Sequence, residues 1–363
     1  MRKLAYLVWL FATLNFHTIS VISQEINTAF PFLNITPDAR GGSMGETGAG
    51  TRPDAFSTYW NAAKAAYATN QLAFGISYTP WMRALRPDNN FIALGGYFRP
   101  DSSSAFCAML RYFSFGNVNY IMPSSIVGQF RPNEYSLDGS YCKKILKNIS
   151  VGIAGRYLAS NLFVSGIAGN HLVKAIAFDA GLFCQDYFKL KTKTGILRYG
   201  ISIVNAGPKI DYDTSSQLNF MPVRIVTGGG IELKINSNNR IATQYELSKF
   251  LVPIYGNNND ISAVKGLWLS FYDAPGGMEE ELREINVGVG VEYIFKELFF
   301  LRAGYYYQDP SKGNMQYLTT GLGIKYNVFG LDFSYLIPKN IQRHPLQNTL
   351  RFTLTFNLEE LKS

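Results

Sequence analysis

Three groups of side chains in this sequence are of types that could do chemistry. His171 lies near Ser160 and Ser165. A histidine beside a serine hydroxyl is what ester hydrolysis needs, the imidazole acting as base to the nucleophile. Neither serine stands in the glycine-flanked elbow that presents such a nucleophile, and His344 is the only other histidine after residue 23. Glu279, Glu280 and Glu281 make an acidic run, but a hard cation needs more converging oxygens than one run supplies. The run reads instead as the start of a helix before Leu282. Cys107, Cys142 and Cys184 have no metal-ligand spacing and no histidine close by. An odd number of cysteines in an oxidising compartment leaves at least one unpaired. They read as packed thiols, with a bridge between two of them left open. No catalytic residue, metal site or cofactor is expected.

The elements that must carry these residues are strands. In Ile285-Asn286-Val287-Gly288-Val289-Gly290-Val291-Glu292-Tyr293 the odd positions are apolar and the even ones small or polar. Phe329–Tyr335 and Leu350–Phe356 repeat the pattern. Period two marks one face of a strand. Large hydrophobes opposite charges suit a wall with lipid on one side and a polar interior on the other. Fourteen strands are expected, near 71–79, 90–99, 104–114, 133–143, 148–158, 173–186, 195–205, 222–234, 239–249, 285–296, 298–308, 316–327, 329–336 and 348–357. Their connections alternate long and short, the asymmetry of an outer-membrane barrel with short periplasmic turns and long extracellular loops. An even strand number puts both barrel ends in the periplasm. The expected fold class is therefore all-β, a fourteen-stranded antiparallel transmembrane β-barrel.

The front of the chain differs. Arg2 and Lys3, the apolar run from Leu4 to Phe16 and the small residues before Gln24 read as a secretory signal over residues 1–23. That run is too short for a spanning helix, and a membrane protein without such helices closes its backbone hydrogen bonds as a barrel. Residues 24–70 hold glycines around Gly41 and Gly45, then a helical stretch from about Pro53 to Ala68. They read as a plug, or hatch, folded into a barrel made by residues 71–363. The formal charge is +8, or +6 without Arg2 and Lys3. The excess suits lipopolysaccharide or an acidic partner, but it forms no arginine-rich run, so nucleic acid is not an expected partner.

Parity sends Asp138, Arg156, Arg198, Arg224, Glu232, Glu246, Glu292, Arg302, Lys325, Asp332 and Arg351 inward. They read as a hydrated, salt-bridged interior that locks the plug, with a selective pore as the alternative. Arg40, Gly41, Gly45, Trp60 and Asn61 are the plug residues of interest, Trp60 filling space and Asn61 tying up backbone groups. At the outer end, Leu162, Phe163, Val164 and Ile167 make loop 159–172 unusually apolar, as a protein contact would be. Trp268, Phe271 and Tyr272 in loop 250–284 are aromatic anchors of the kind that dominate interfaces. Trp81 and Leu85 sit at the same rim, where Trp81 alone reads as an interface-girdle residue.

The run Phe32-Leu33-Asn34-Ile35-Thr36-Pro37-Asp38-Ala39-Arg40-Gly41-Gly42-Ser43-Met44-Gly45 resembles the start of the mature PorV (LptO) family, outer-membrane components of the type IX secretion system of the Bacteroidota. Pro53-Asp54-Ala55, Ser77-Tyr78-Thr79-Pro80-Trp81, Ser270-Phe271-Tyr272-Asp273-Ala274-Pro275-Gly276-Gly277 and Lys325–Tyr335 continue the match in order. The wider group is similar to FadL-type fatty-acid transporters, whose hatch motif reads Trp-Asn-Pro-Ala where this chain has Trp60-Asn61-Ala62-Ala63. The resemblance implies a shuttle, not an enzyme. Such proteins take cargo bearing a folded C-terminal signal domain from the translocon SprA (Sov). They deliver it to the attachment complex of PorU, PorQ and PorZ, where cargo is joined to lipopolysaccharide. A FadL-like transporter of hydrophobic molecules and a lipopolysaccharide deacylation factor are the alternatives.

Overall fold

The computed structural model describes residues 27–360, apart from residue 84 and residues 122–126, 163–171, 191–192, 213–217, 254–259 and 340–343. The expected signal segment lies outside the described residues. The strands are β1 (Asn70–Pro80), β2 (Asn90–Phe98), β3 (Ser104–Ser114), β4 (Val118–Ile121), β5 (Val127–Phe130), β6 (Asn133–Lys144), β7 (Ile149–Asn161), β8 (Val173–Leu190), β9 (Lys193–Ala206), β10 (Arg224–Lys234), β11 (Asn239–Phe250), β12 (Asn286–Phe295), β13 (Phe299–Tyr307), β14 (Gln316–Tyr326), β15 (Phe329–Pro338) and β16 (Leu350–Glu360). All but β4 and β5 form one closed antiparallel barrel of fourteen strands, and β1 pairs with β16 from Asn70↔Glu360 to Tyr78↔Phe352. The short β4–β5 hairpin stands apart, within a span that the sequence pattern reads as loop.

Side-chain alternation sets which face each residue takes. In β1, Leu72, Phe74, Ile76 and Tyr78 are exposed while Ala73, Gly75, Ser77 and Thr79 are buried. In β12, Val289, Val291 and Tyr293 point outward and Asn286, Gly288 and Glu292 inward. The outward set continues as Phe106, Leu137, Ile153, Ile176, Leu182, Leu301, Leu322 and Leu331. Apolar surface on that scale is what lipid, not water, would cover. Phe98, Tyr141, Tyr293, Phe299, Tyr326 and Phe329 ring the end with the short turns, as an interfacial aromatic girdle does. Closure leaves the wall without an unpaired edge, which satisfies the backbone in an apolar medium. Among the described residues no helix is long and apolar enough to cross a membrane.

The segment before β1 occupies the lumen. It runs through a 3₁₀ turn (Pro31–Asn34), α1 (Ala39–Gly42), α2 (Ser57–Trp60) and a second 3₁₀ turn (Ala62–Tyr67). The single helix expected over residues 53–68 is thus two shorter pieces. The break is Asn61, which is extended at φ −168° and ψ 107°. Its Oδ1 accepts from the Ala63 N–H at 3.0 Å, and its Nδ2 donates to the Leu182 carbonyl at 2.8 Å. One amide therefore starts the second turn and fastens it to β8.

Backbone meets backbone where this segment touches the wall. Gly45 has a φ of +69°, and a Cβ there would stand 2.4 Å from the Val289 carbonyl. A Cβ on Gly304 of β13 would lie 2.1 Å from the Gly45 nitrogen. Only glycine permits so close an approach, and at Gly45 only glycine adopts the conformation without strain.

Candidate functional site

The lumen and the rim at the long-loop end carry the candidate residues, and they are built differently. In the lumen, charges from the inner segment interlock with charges from the wall. Fully buried Glu292 accepts from Arg302 at 2.8 Å, Arg52 at 3.0 Å and Arg40 at 3.3 Å. Arg40 also reaches Asp54 at 3.1 Å, and Arg302 bonds Asp332. Glu232 takes Arg198 at 2.9 Å and Arg240 at 3.2 Å. A second group lies further along the wall, where Asp138 bridges Arg111 at 2.9 Å and Arg156 at 3.0 Å, and Arg156 holds Asp179 at 2.9 Å. Buried charges are tolerated only when so paired.

Neutral backbone joins the same scheme. Glu246 accepts the N–H groups of Gly48 and Ala49 at 2.7 and 2.8 Å, and Lys64 donates to the Gly48 carbonyl at 3.0 Å. Trp60 donates its indole N–H to Asp38 at 2.8 Å, and a Cβ on Gly41 would lie 2.3 Å from the Trp60 ring. Arg40, Gly41, Gly45, Trp60 and Asn61 are thus all brought together inside the barrel, each in contact with the wall or with another of the set. On the short-turn side, a cavity of about 560 Å³ is lined by Arg52, Arg198, Glu232 and Arg302 among others. On the long-loop side, about 70 Å³ remain between Trp60, Trp81, Arg224, Glu246, Tyr317 and Arg351.

At the rim, the connection between β11 and β12 folds into α3 (Ala263–Leu269) and α4 (Met278–Arg283). Ser262 caps α3 by accepting the Lys265 N–H at 3.2 Å. Gly266 packs on Phe220, so close that a Cβ would lie 2.8 Å from its ring. Val264 and Trp268, four apart, share one face of α3, and Tyr272 follows in the turn beyond its end. Each of the three is 68% exposed. Met278 and Leu282, also four apart, are exposed on α4. Phe271 is exposed as well.

The acidic run opens α4, and each member has a structural partner. Glu279 pairs with Arg283 at 2.5 Å, Glu280 with Lys312 at 2.6 Å, and Glu281 with Lys249 at 2.9 Å. Glu284 joins both Lys249 and Lys312. Hydrogen bonds from Lys312 and from the Gly276 N–H hold Glu280 below the ordinary carboxylate range. These ties clamp the loop to β11 and to the β13–β14 connection.

The remaining sequence candidates fall apart in space. Leu85 is 60% exposed at the rim and Leu162 is half-buried. Phe163, Val164, Ile167, Ser165 and His171 lie outside the described residues. Trp81 does not take the girdle position expected of it. It is on the inward parity of β1, packs against the buried core, and lies under the Arg351 guanidinium at 5.9 Å. Ser160 donates to Glu134 at 2.8 Å inside the barrel. His344 accepts the Leu346 N–H at 3.2 Å on its Nδ1, and burial lowers its pKa. Among the described residues no cluster of three or more metal-ligating side chains occurs.

A family model described as "Type IX secretion system protein PorV" matches residues 20–257. The chain belongs to the PorV family. A comparison with curated proteins found no match. Among solved structures, the CymD monoaromatic hydrocarbon channel is similar with 12% identity and a TM-score of 0.51, over 89% of this chain and 98% of that one. The toluene transporter TbuX of Ralstonia pickettii has 11% identity and a TM-score of 0.47, over 91% and 99%. A Pseudomonas aeruginosa FadL homologue has 12% identity and a TM-score of 0.43, over 90% and 99%. At such identities the likeness is one of fold. PorV membership therefore decides more about function than these barrels do.

Proposed function

We propose that this PorV-family barrel is an outer-membrane cargo carrier of the type IX secretion system, non-enzymatic, with its long loops extracellular and both termini periplasmic. It takes cargo by the C-terminal signal domain at the translocon SprA (Sov) and hands it to the PorU, PorQ and PorZ attachment complex at the lipopolysaccharide surface. The inner segment serves as a fixed plug. Release is driven by handover, with the energy supplied by partners.

The observation that carries this reading is the α3–α4 loop. Its side chains Val264, Trp268 and Tyr272 are exposed, and two lysines tie its α4 to the rim. Large aromatic side chains kept rigid in water are the composition of a binding hot spot. The lumen supports the same reading, because wall and inner segment share buried ion pairs and close backbone contacts. A conduit for hydrophobic molecules would need those contacts to part.

The test is capture from detergent-solubilised outer membranes, with residues 263–283 replaced by a short glycine–serine linker. Loss of both translocon and signal-domain cargo from a barrel that still folds is the expected result. Undiminished capture, together with a fatty or aromatic ligand bound in the lumen of the purified protein, would favour the transporter.

A further inference from the structure

The short-turn end of the barrel is strongly basic on one arc. Lys143 and Lys147 flank the β6–β7 turn, and Lys189 and Lys193 flank the β8–β9 turn. All four are exposed, and among the described residues none of them is in an ion pair. Asp186 is the one acidic residue in 141–149 or 185–197. The two turns are neighbours, because β7 pairs with β8 and the Gln185 N–H donates to the Asn148 carbonyl at 2.9 Å. Asp186–Leu190 run on past the start of β7, paired only with β9. Five residues at about 3.4 Å each carry this hairpin about 17 Å beyond its neighbour. The other turns at this end have no such excess. Lys296 stands next to Glu297, which bonds Arg52 and Arg240. Asp101 of the β2–β3 turn is occupied by Ser103 and Ser104, Lys234 stands alone beside Asn236, Ser237 and Asn238, and Asn327–Val328 is uncharged.

Apolar side chains interleave with these lysines. Ile145, Leu146 and Leu190 are each 57% exposed. The arc also continues the lipid-facing wall. Lys143 is the next outward position after Tyr141 of the aromatic girdle, and the outward positions beside it, Val151 and Leu182, are apolar. Two residues of strand rise about 7 Å, roughly the depth of the polar layer on one side of a bilayer. A lysine stem lies along apolar surface while its ammonium reaches that layer, and lysines clustered beside a membrane attract anionic headgroups. An acidic protein surface would match the charge but not the place. The arc begins at the girdle and on the outward parity, where lipid is already the neighbour. We propose that this arc binds the headgroups of anionic phospholipids, with Lys143, Lys147, Lys189 and Lys193 holding the phosphates and Ile145, Leu146 and Leu190 meeting the tops of the acyl chains. The inference rests on the carrier reading for one point, that the short turns face the periplasm, which makes these the lipids of the inner leaflet.

The experiment uses the full-length folded barrel, purified in mild detergent. Phosphatidylglycerol and phosphatidylcholine with identical acyl chains are added as probes, and retained lipid is counted by native mass spectrometry. The expected result is preferential retention of phosphatidylglycerol. Combined Lys143→Gln, Lys147→Gln, Lys189→Gln and Lys193→Gln should weaken that retention by about tenfold or more, whereas arginine at the same four positions should preserve it. Four charges removed elsewhere, by Arg83→Gln, Lys174→Gln, Lys234→Gln and Lys296→Gln, should leave it unchanged. Each variant is compared as a barrel that keeps its heat-modifiable folded form. Equal retention of the two lipids, or equal loss in both glutamine variants, would overturn the proposal. So would poly-glutamate binding that the arc variant loses while its lipid retention stands, since that assigns the arc to an acidic protein. Replacement of residues 263–283 should not alter lipid retention, so failure of this proposal and failure of cargo capture are read separately.

Discussion

The inner segment meets the wall through backbone, whereas the connection from β11 to β12 meets the rim through long charged side chains. Gly45 lies against the Val289 carbonyl and Gly304 against the Gly45 nitrogen, with no side chain between. Lys249 and Lys312, by contrast, hold α4 at the ends of flexible stems. Contact of the first kind resists displacement, because close-packed backbone has no rotamer into which to retreat. Contact of the second kind fixes position while leaving Trp268 and Tyr272 in water. The difference teaches that the inside of this barrel is fixed by close backbone packing, while the rim loop is positioned by charged side chains.

The comparison can be broken most severely from within. Gly304→Leu places a side chain where the Gly45 backbone already lies. Overpacking of a tight interior typically costs about 1–3 kcal/mol and more where backbone must move, so the barrel should lose its heat-modifiable folded form on gels. Gly139→Ala is the control, since a Cβ there meets nothing within 4 Å. Equal behaviour of the two variants would mean that the inner segment is loosely held.

Glu292→Gln should come next. It leaves Arg40, Arg52 and Arg302 around a neutral amide. Removing one member of a buried charge group costs about 3–5 kcal/mol, read as a lowered midpoint of unfolding in detergent. An unchanged midpoint would indicate that water already screens the site.

The double change Trp268→Ala and Tyr272→Ala should leave that midpoint where it is, because both rings are exposed. Binding of a cargo signal domain should weaken by about 30-fold or more, as loss of a hot spot worth about 2 kcal/mol requires. Unchanged binding would move the contact to another loop.

The smallest effect is pH-dependent. Glu280 is held below its ordinary range by Lys312 and the Gly276 N–H. Its contribution is therefore complete above the unfolded carboxylate's pKa and fades as pH falls through the lower folded value. Trp268 fluorescence should be constant near neutrality and change only below about pH 4. Glu280→Gln should flatten that acid limb, and a persisting limb would show that Glu280 is not its source.

Much of the wall was legible in the sequence because a period of two needs only the neighbouring residues to declare itself. All fourteen expected strands occur within a few residues of their expected bounds. Arg111 escaped notice, since Met109 and Phe113 on the same parity are apolar and made β3 look greasy on both faces. The β4–β5 hairpin escaped because four residues are too few to show alternation. The candidate site was legible only in part. Trp268, Phe271 and Tyr272 could be read as exposed anchors, but Trp81 could not be placed, because the Arg351 that covers it is 270 positions further along the chain. The close approaches of Gly45 and Gly304 were equally hidden, for a glycine declares no partner until the fold supplies one.

The pairing of β1 with β16 makes the wall a ring whose seam joins strands about 280 positions apart in the chain. The segment just ahead of β1 fills the space that this seam encloses, so one stretch of polypeptide is both neighbour to the seam and contents of the ring.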